Sequence, residues 1–145
     1  PLLNLRRSLS AGFSGADDLE LRPAVDLLGL GPGLTPSGDD LLAGLLITCH
    51  RLGERPVAWR VGDALLRAAP ERTTRISLSH LAAAAAGGGA APLHGLLEAL
   101  AEGDRVEIVR TLDAAAKIGH SSGYDALGGI ILALQAWLNA APAER

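Results

Sequence analysis

The 145-residue sequence has few or none of several residue types that mark other classes of protein. It has one cysteine, Cys49, so it cannot form an internal disulfide, and no Cys/His spacing matches a zinc site. It has no methionine, four aromatic residues and a net charge of −3, which excludes a polybasic nucleic-acid binder. No apolar run reaches the roughly 18 residues that span a bilayer, and the N-terminus has no signal-peptide layout. We therefore expect a cytoplasmic protein that binds neither nucleic acid nor membrane, with Cys49 as a buried, unreactive thiol.

Leucine and alanine are abundant instead, with 28 and 26 copies. Both residues favour helices, and the β-branched residues that favour strands are scarce. The composition predicts an all-α fold, a compact Ala/Leu-rich bundle of about seven helices with short connections. The length suits one domain, so we expect residues 1–145 to form a single helical domain, in which residues 1–21 are the remnant of a longer N-terminal region.

Apolar spacing and glycine punctuation place the seven helices. Residues 1–15 have no clear period. On the helix that Asp104 caps, we expect Val106, Val109 and Leu112 to face the core. The predicted helices cover residues 22–29, 38–51, 57–69, 72–86, 93–100, 104–119 and 123–139.

The most informative feature is an eight-residue segment that occurs twice. Residues 37–44 are SGDDLLAG and residues 122–129 are SGYDALGG, so both follow the pattern S-G-x-D-x-L-x-G. Each copy lies where a glycine-containing loop opens an apolar helix. Two interpretations are open.

In the first interpretation the two copies are helix caps. A serine at the N-cap with an acidic residue at N3 resembles a capping box, and the carboxylate also complements the helix dipole. Ser37 with Asp40, and Ser122 with Asp125, would then only start two helices.

In the second interpretation the copies have a packing and binding role. Gly44 and Gly129 hold the same interior helix position, where glycine costs about 1 kcal/mol relative to alanine. Its occurrence in both copies indicates two helices that cross closely, about a pseudo-twofold axis. The loop at residues 31–36, GPGLTP, can bring backbone N–H groups against a ligand. Residues 120–122, HSS, form a polar cluster before the second copy.

If the two helix starts face each other, they enclose a pocket of backbone N–H donors, hydroxyls and carboxylates. This mixture suits a small carbamoyl or oxamate-like molecule, or an anion bridged by Mg²⁺. An imidazole exchanges protons near neutral pH and a neighbouring carboxylate can assist it, so the candidate catalytic residues are His120, Asp40 and Asp125. The candidate binding residues are Gly31, Gly33, Thr35, Ser37, Gly38, Asp39, Ser121, Ser122 and Gly123.

A further polar cluster lies at residues 73–77, TTRIS. Its hydroxyl residues can simply cap a helix or bond back to its backbone. Alternatively, the cluster forms a second wall of the pocket and its arginine binds a carboxylate or phosphate. The role of the neighbouring His80 stays open. The candidate binding residues of this cluster are Thr73, Thr74, Arg75 and Ser77.

The motif G-L-G-P-G-L-T-P-S-G-D-D-x-L-A-G-L at residues 29–45 resembles the signature of a bacterial domain-of-unknown-function family. That family includes AllH, a subunit of oxamate carbamoyltransferase in allantoin degradation. Residues 73–77 and 119–129 look like two later motifs of the family, and the resemblance covers roughly residues 22–139. It implies a role in making or breaking the C–N bond of oxalurate, with carbamoyl phosphate and oxamate on the other side. It also implies partner subunits in a multi-subunit enzyme.

Two other functions stay open at this point. Helical ADP-ribosylglycohydrolases also place aspartates at helix starts around Mg²⁺, so Asp39, Asp40 and Asp125 are compatible with a Mg-dependent hydrolase. That family's full acidic set is not present here. Alternatively, the chain is a non-catalytic helical module whose Gly/Ala faces dock a partner or a second copy of the chain.

Overall fold

The computed structural model describes residues 1–15 and 18–140. Over these residues the chain forms eight α-helices and a short 3-10 helix, Ala69–Glu71, with no strand, which confirms the predicted all-α fold. No helix in this part of the chain is both long and apolar enough to cross a membrane. The α-helices are α1 (Leu2–Phe13), α2 (Arg22–Val25), α3 (Ser37–Arg51), α4 (Arg55–Ala68), α5 (Arg75–Ala85), α6 (Ala91–Glu102), α7 (Arg105–Ala116) and α8 (Ser122–Asn139).

Helix α3 is the centre of the bundle. Ten of its fifteen residues are buried, which requires neighbours around most of its surface. It packs most extensively against α8 and also contacts α4, α5 and α6. Cys49 lies on α3 with no exposed surface, and burial raises the pKa of its thiol to about 12. The predicted burial of the thiol is confirmed, and the raised pKa is consistent with low reactivity.

None of the predicted helices lies within the first fifteen residues. This prediction is wrong, because α1 begins at Leu2. Leu5, Leu9 and Phe13 recur at a spacing of four and are buried against α8 and the core. The polar residues between them obscure that period. Ser10 is one of these, and its hydroxyl donates to the carbonyl oxygen of Ala136 at 2.9 Å, which ties α1 to α8.

The predicted inward face of α7 is also wrong. Val106 and Val109 are 81% and 68% exposed, and Leu112 is exposed as well. The helix instead buries Thr111 and Ala115. It approaches α6 closely at Gly95, where an added Cβ would lie 3.2 Å from the Thr111 methyl group, so the small face of α7 packs and its larger apolar face does not.

Candidate functional site

Helices α3 and α8 cross at the glycines of the two repeated segments. A Cβ atom at Gly44 would overlap the carbonyl oxygen of Ala126, and one at Gly129 would overlap the carbonyl oxygen of Leu41. Leu41 and Ala126 are themselves equivalent positions of the repeat, so the contact is reciprocal, as it is across a twofold axis. The predicted close crossing is confirmed.

The first glycine of each copy brings the helix start against the preceding segment. A Cβ atom at Gly38 would overlap the carbonyl oxygen of Leu27, and one at Gly123 would overlap that of Ala115. The N–H groups of both glycines donate to carbonyl oxygens of the preceding loops, at 2.8 and 3.0 Å. These two candidate binding donors are therefore used within the fold.

The loop before α3 contains two glycines in conformations that other residues rarely adopt. Gly31 has φ of +117° and Gly33 has φ of +98°, and both residues are exposed. A Cβ atom at Gly31 would lie 2.8 Å from the backbone nitrogen of Ser37. The loop thus folds tightly over the start of α3 because Gly31 has no side chain, whereas Gly33 is required only for its backbone conformation.

The two loops meet through a pair of hydroxyl groups. Thr35 Oγ1 and Ser122 Oγ are 3.0 Å apart. The N-cap positions are Pro36 and Ser121, and neither helix start has a side-chain cap hydrogen bond. The capping-box interpretation of Ser37 and Ser122 is therefore wrong, since the Ser122 hydroxyl contacts the opposite loop instead.

Asp39 joins the start of α3 to the start of α5. Its side chain is 1% exposed. Oδ1 accepts a hydrogen bond from the Gly29 N–H at 2.8 Å, and Oδ2 accepts one from Ser77 Oγ at 2.6 Å and another from Thr73 Oγ1. Three donors satisfy this buried carboxylate, so three of the candidate binding side chains are paired with one another inside the fold.

Thr74 caps α5 and fastens the glycine-containing loop to it. The Thr74 hydroxyl accepts a hydrogen bond from the Ser77 N–H at 3.0 Å and donates to the carbonyl oxygen of Leu34. The capping interpretation of residues 73–77 is confirmed for this residue. Arg75, the next residue, is exposed at the helix surface.

A cavity of about 620 Å³ lies between α3, α5, the start of α6 and the start of α8. Its polar wall comes from both loops and both flanking helices, through Thr35, Asp40, His80 and Ser122. The rest of the wall is apolar. It consists of Ala43, Ile47, Ala83, Ala84, Ala90, Leu93, Ile118 and Ala126, together with Gly89 and Gly119.

Asp40 is the buried carboxylate of this cavity. Its side chain is 8% exposed, and its Oδ2 atom has no hydrogen-bond partner. Burial raises the pKa of the carboxyl group, while the hydroxyls of Ser122 and Thr35 act in the opposite direction. The negative charge of Asp125 raises the Asp40 pKa further, and His80 lowers it.

Four other candidate residues lie beside the cavity rather than in its wall. Asp125 is half-buried, and its Oδ2 atom also has no hydrogen-bond partner. His120 and Ser121 are exposed in the loop before α8, and Ser37 is half-buried at the start of α3. None of the four lines this cavity.

The histidine that lines the cavity is His80, whose role the sequence left open. Ser77, His80 and Ala84 have the spacing of one helix face, and Ser77 and Ala84 are buried. That spacing is the signal in the sequence for His80. Its place over Asp40 depends on the contacts of Asp39 and Thr74, which join segments more than thirty residues apart.

The carboxylates do not form a larger acidic cluster. Within residues 1–15 and 18–140, no three or more His, Cys, Asp or Glu side chains are arranged to hold a metal ion. Asp39 accepts three hydrogen bonds from protein donors. Asp40 and Asp125, in contrast, each have a buried oxygen without a partner.

The comparison with known proteins gives one family. The model of the family described as oxamate carbamoyltransferase subunit AllH matches residues 27–134. The match covers about three quarters of the chain, and it includes both repeated segments and every residue that lines the cavity. No solved structure matches the chain.

Proposed function

This chain belongs to the AllH family of oxamate carbamoyltransferase subunits, and on that premise we propose that its cavity binds a small carbamoyl compound or oxamate. The family description names a subunit, so the proposal includes other subunits of the same enzyme as partners. The reaction in question transfers a carbamoyl group between phosphate and the nitrogen of oxamate, and this chain supplies part of the site.

The observation that carries the proposal is the unpartnered Asp40 oxygen in the wall of a cavity built by both repeated segments. A buried carboxylate oxygen without a donor costs about 1–3 kcal/mol, or more when charged. A ligand N–H group placed against it recovers that free energy. Oxamate and carbamoyl compounds carry such N–H groups, and a bare phosphate does not.

The same wall offers groups for the rest of the ligand. The hydroxyls of Thr35 and Ser122 can donate to a carbonyl or carboxylate oxygen, and His80 can donate or accept a proton. When the C–N bond forms, the C–O bond between the carbamoyl carbon and phosphate breaks and phosphate leaves. The oxamate nitrogen loses a proton, and Asp40 or His80 is the proposed acceptor. Asp125 acts through its charge on Asp40, and His120 is a candidate acid–base group outside the cavity wall.

Ligand-dependent thermal unfolding tests this proposal. The panel contains oxamate, carbamoyl phosphate, inorganic phosphate and ADP-ribose, each with and without Mg²⁺. A ligand at 100 times its Kd stabilises the fold by about 2.7 kcal/mol, which raises Tm by several degrees for a chain of this size. We expect shifts with oxamate or carbamoyl phosphate that do not require Mg²⁺.

Three variants and one control locate the site. D40N and S122A should reduce the shift, because each changes a polar group of the cavity wall. D113N is the matched control, since Asp113 is an exposed carboxylate on α7 that pairs with Lys117, and its shift should equal that of the wild type. H120A tests whether the loop before α8 also contacts the ligand.

The other outcomes decide among the alternatives. A shift with ADP-ribose that requires Mg²⁺ favours a hydrolase, with Asp40 and Asp125 as candidate ligands. A flat panel, with self-association that survives D40N and D125N, favours a non-catalytic module in a homo-oligomer. Either result removes the carbamoyl-binding proposal for the isolated chain.

A further inference from the structure

The cavity is much larger than the substrates considered so far. Its volume is about 620 Å³, in the middle of the range of roughly 300–1,000 Å³ that is typical of sites for drug-sized ligands. Oxamate has a two-carbon skeleton and fills a small part of it.

The cavity is also polar at one end and apolar over the rest. Thr35 and Ser122 are in contact, and Asp40 interacts electrostatically with both hydroxyls and with His80, so the four polar residues of the wall form one group. Along α3 the wall continues from Asp40 to Ile47, and along α5 it continues from His80 to Ala84. Both helices therefore lead from a polar end into an apolar compartment.

The apolar compartment is a pocket that is open to solvent on one side. It is lined by small and branched side chains from α3, α5, α6, α8 and the loop before α8. Ala84 and Ile47 are 1% and 2% exposed, whereas Ala83, Gly89 and Gly119 are exposed. Gly89 lies where an added Cβ would overlap the Ile47 side chain. Apolar surface of this kind favours an apolar ligand group at roughly 0.8 kcal/mol for each methylene it buries.

We propose that the cavity takes a ligand with a terminal amide or ureido group and an apolar body, with the N–H donors at Asp40 and the body between α3 and α5. The proposal rests on the proposed function for the identity of the head group, and it extends the substrate class from oxamate to larger amides. The size and lining of the cavity carry the extension.

A series of primary amides tests the apolar body. Binding of acetamide, butanamide and hexanamide to the full chain is measured by ligand-observed NMR and calorimetry. We expect the Kd to fall about fourfold for each methylene, which is the factor that corresponds to 0.8 kcal/mol. A Kd that is independent of chain length overturns the proposal.

Head-group analogues test the polar end. Hexanamide should bind more tightly than hexan-1-ol or hexanoate, because only the amide offers two N–H donors to the unpartnered oxygen of Asp40. In D40N the preference for hexanamide over hexanoate should fall by tenfold or more. Equal affinities for the three compounds would mean a general apolar cavity, and the proposal would then be wrong.

Two leucine variants on one helix test the location. Ala83 lines the cavity, whereas Ala82 lies on the other side of α5 in a groove beside Trp59. Both alanines are exposed, so A83L and A82L should fold equally well. A83L should weaken hexanamide tenfold or more and acetamide much less, and A82L should change neither. Weakening by A82L alone would place binding elsewhere and overturn the proposal.

The amide series and the oxamate panel test the two proposals independently. If oxamate binds and longer amides gain nothing, the extension is wrong and the proposed function stands. If the longer amides bind with the expected slope and oxamate and carbamoyl phosphate do not, the cavity has the proposed shape and the carbamoyl function is wrong.

Discussion

The two copies of the repeated segment have the same backbone packing and different surroundings. In both copies glycines allow a helix to pack directly against a backbone carbonyl oxygen. In both copies an aspartate has a buried oxygen without a hydrogen-bond partner. The copies differ at three positions, and the polar contrast is at the third, which is Asp39 in the first copy and Tyr124 in the second. Asp39 is 1% exposed and accepts three hydrogen bonds, whereas Tyr124 is 63% exposed.

This difference explains why the cavity lies beside Asp40 and not around Asp125. Asp39 holds the start of α5 against α3, and α5 then places His80 and Ala83 opposite Asp40. The second copy has an exposed tyrosine where a buried carboxylate would be needed to hold another helix. The crossing is therefore nearly symmetric, and the contrast between Asp39 and Tyr124 contributes to the asymmetry of the binding site.

The largest expected effect on stability concerns the crossing of α3 and α8, which the two copies share. G44A and G129A should each lower the free energy of unfolding by about 3 kcal/mol or more, because the new methyl group overlaps a backbone carbonyl oxygen that cannot move freely. Urea unfolding at constant pH measures this. If the twofold relation holds, the two losses should be similar.

Gly128 provides the matched control for that prediction. It is the neighbour of Gly129 on α8, and the nearest atom to an added Cβ is 3.9 Å away, in the Leu41 side chain. G128A should therefore gain about 0.5–1 kcal/mol from helix propensity. Equal effects of G128A and G129A would contradict the close crossing.

The second prediction concerns the third position of the segment, where the copies carry Asp39 and Tyr124. D39A should lower the free energy of unfolding by about 2–3 kcal/mol, because Gly29, Thr73 and Ser77 lose their common acceptor. Y124A, at the equivalent position of α8, should change it by less than about 0.5 kcal/mol, because most of the tyrosine is exposed. Chemical denaturation of both variants makes the comparison directly. Similar losses in the two variants would mean that Asp39 is not what distinguishes the copies.

The third prediction concerns the pH dependence that Asp40 produces. Because the pKa of Asp40 is raised in the folded chain, the folded state favours the protonated carboxyl. Its contribution to stability is fully present below the ordinary pKa of 3.8 and is lost as pH rises through the folded pKa. The stability of the wild type relative to D40N should therefore fall as the pH rises above the ordinary pKa of 3.8. Denaturant unfolding at several pH values measures that difference.

Two carboxylate variants sharpen this test. D125N removes one cause of the raised Asp40 pKa, but burial is the larger cause, so most of the pH dependence should remain. D113N changes an exposed carboxylate and should leave it intact. A wild-type curve parallel to that of D40N would show that Asp40 is not the group responsible.

The sequence predicts the crossing of the two helix backbones better than it predicts which side chains face inward. The crossing could be predicted because Gly44 and Gly129 are costly within apolar helices unless another backbone approaches them. The choice of face on α7 could not, because both faces carry apolar residues and the smaller one, with Thr111 and Ala115, allows the closer approach to α6.

The cavity could be predicted only in part, because some of its residues are set by local sequence and others by tertiary packing. The two loops and Asp40 belong to the repeat, and local sequence indicates them. His80 and Ile47 enter the site through the tertiary position of α5 and through side-chain direction on α3. The serine of the repeat also resembles a cap in sequence, and only the position of the opposite loop turns the Ser122 hydroxyl toward Thr35.

The smallest expected effect is on that hydroxyl pair, the direct side-chain link between the first loop and the second copy. A double-mutant cycle with T35V and S122A should give a coupling free energy of about 0.5–1.5 kcal/mol, the usual net value of one hydrogen bond. The same cycle with T35V and S121A is the control, because Ser121 is exposed and makes no side-chain cap, and its coupling should be near zero. Equal couplings in the two cycles would mean that the loops are held together by the glycine crossing alone. The hydroxyls would then be available to a ligand at no cost to the fold, and S122A should weaken oxamate binding without lowering the free energy of unfolding.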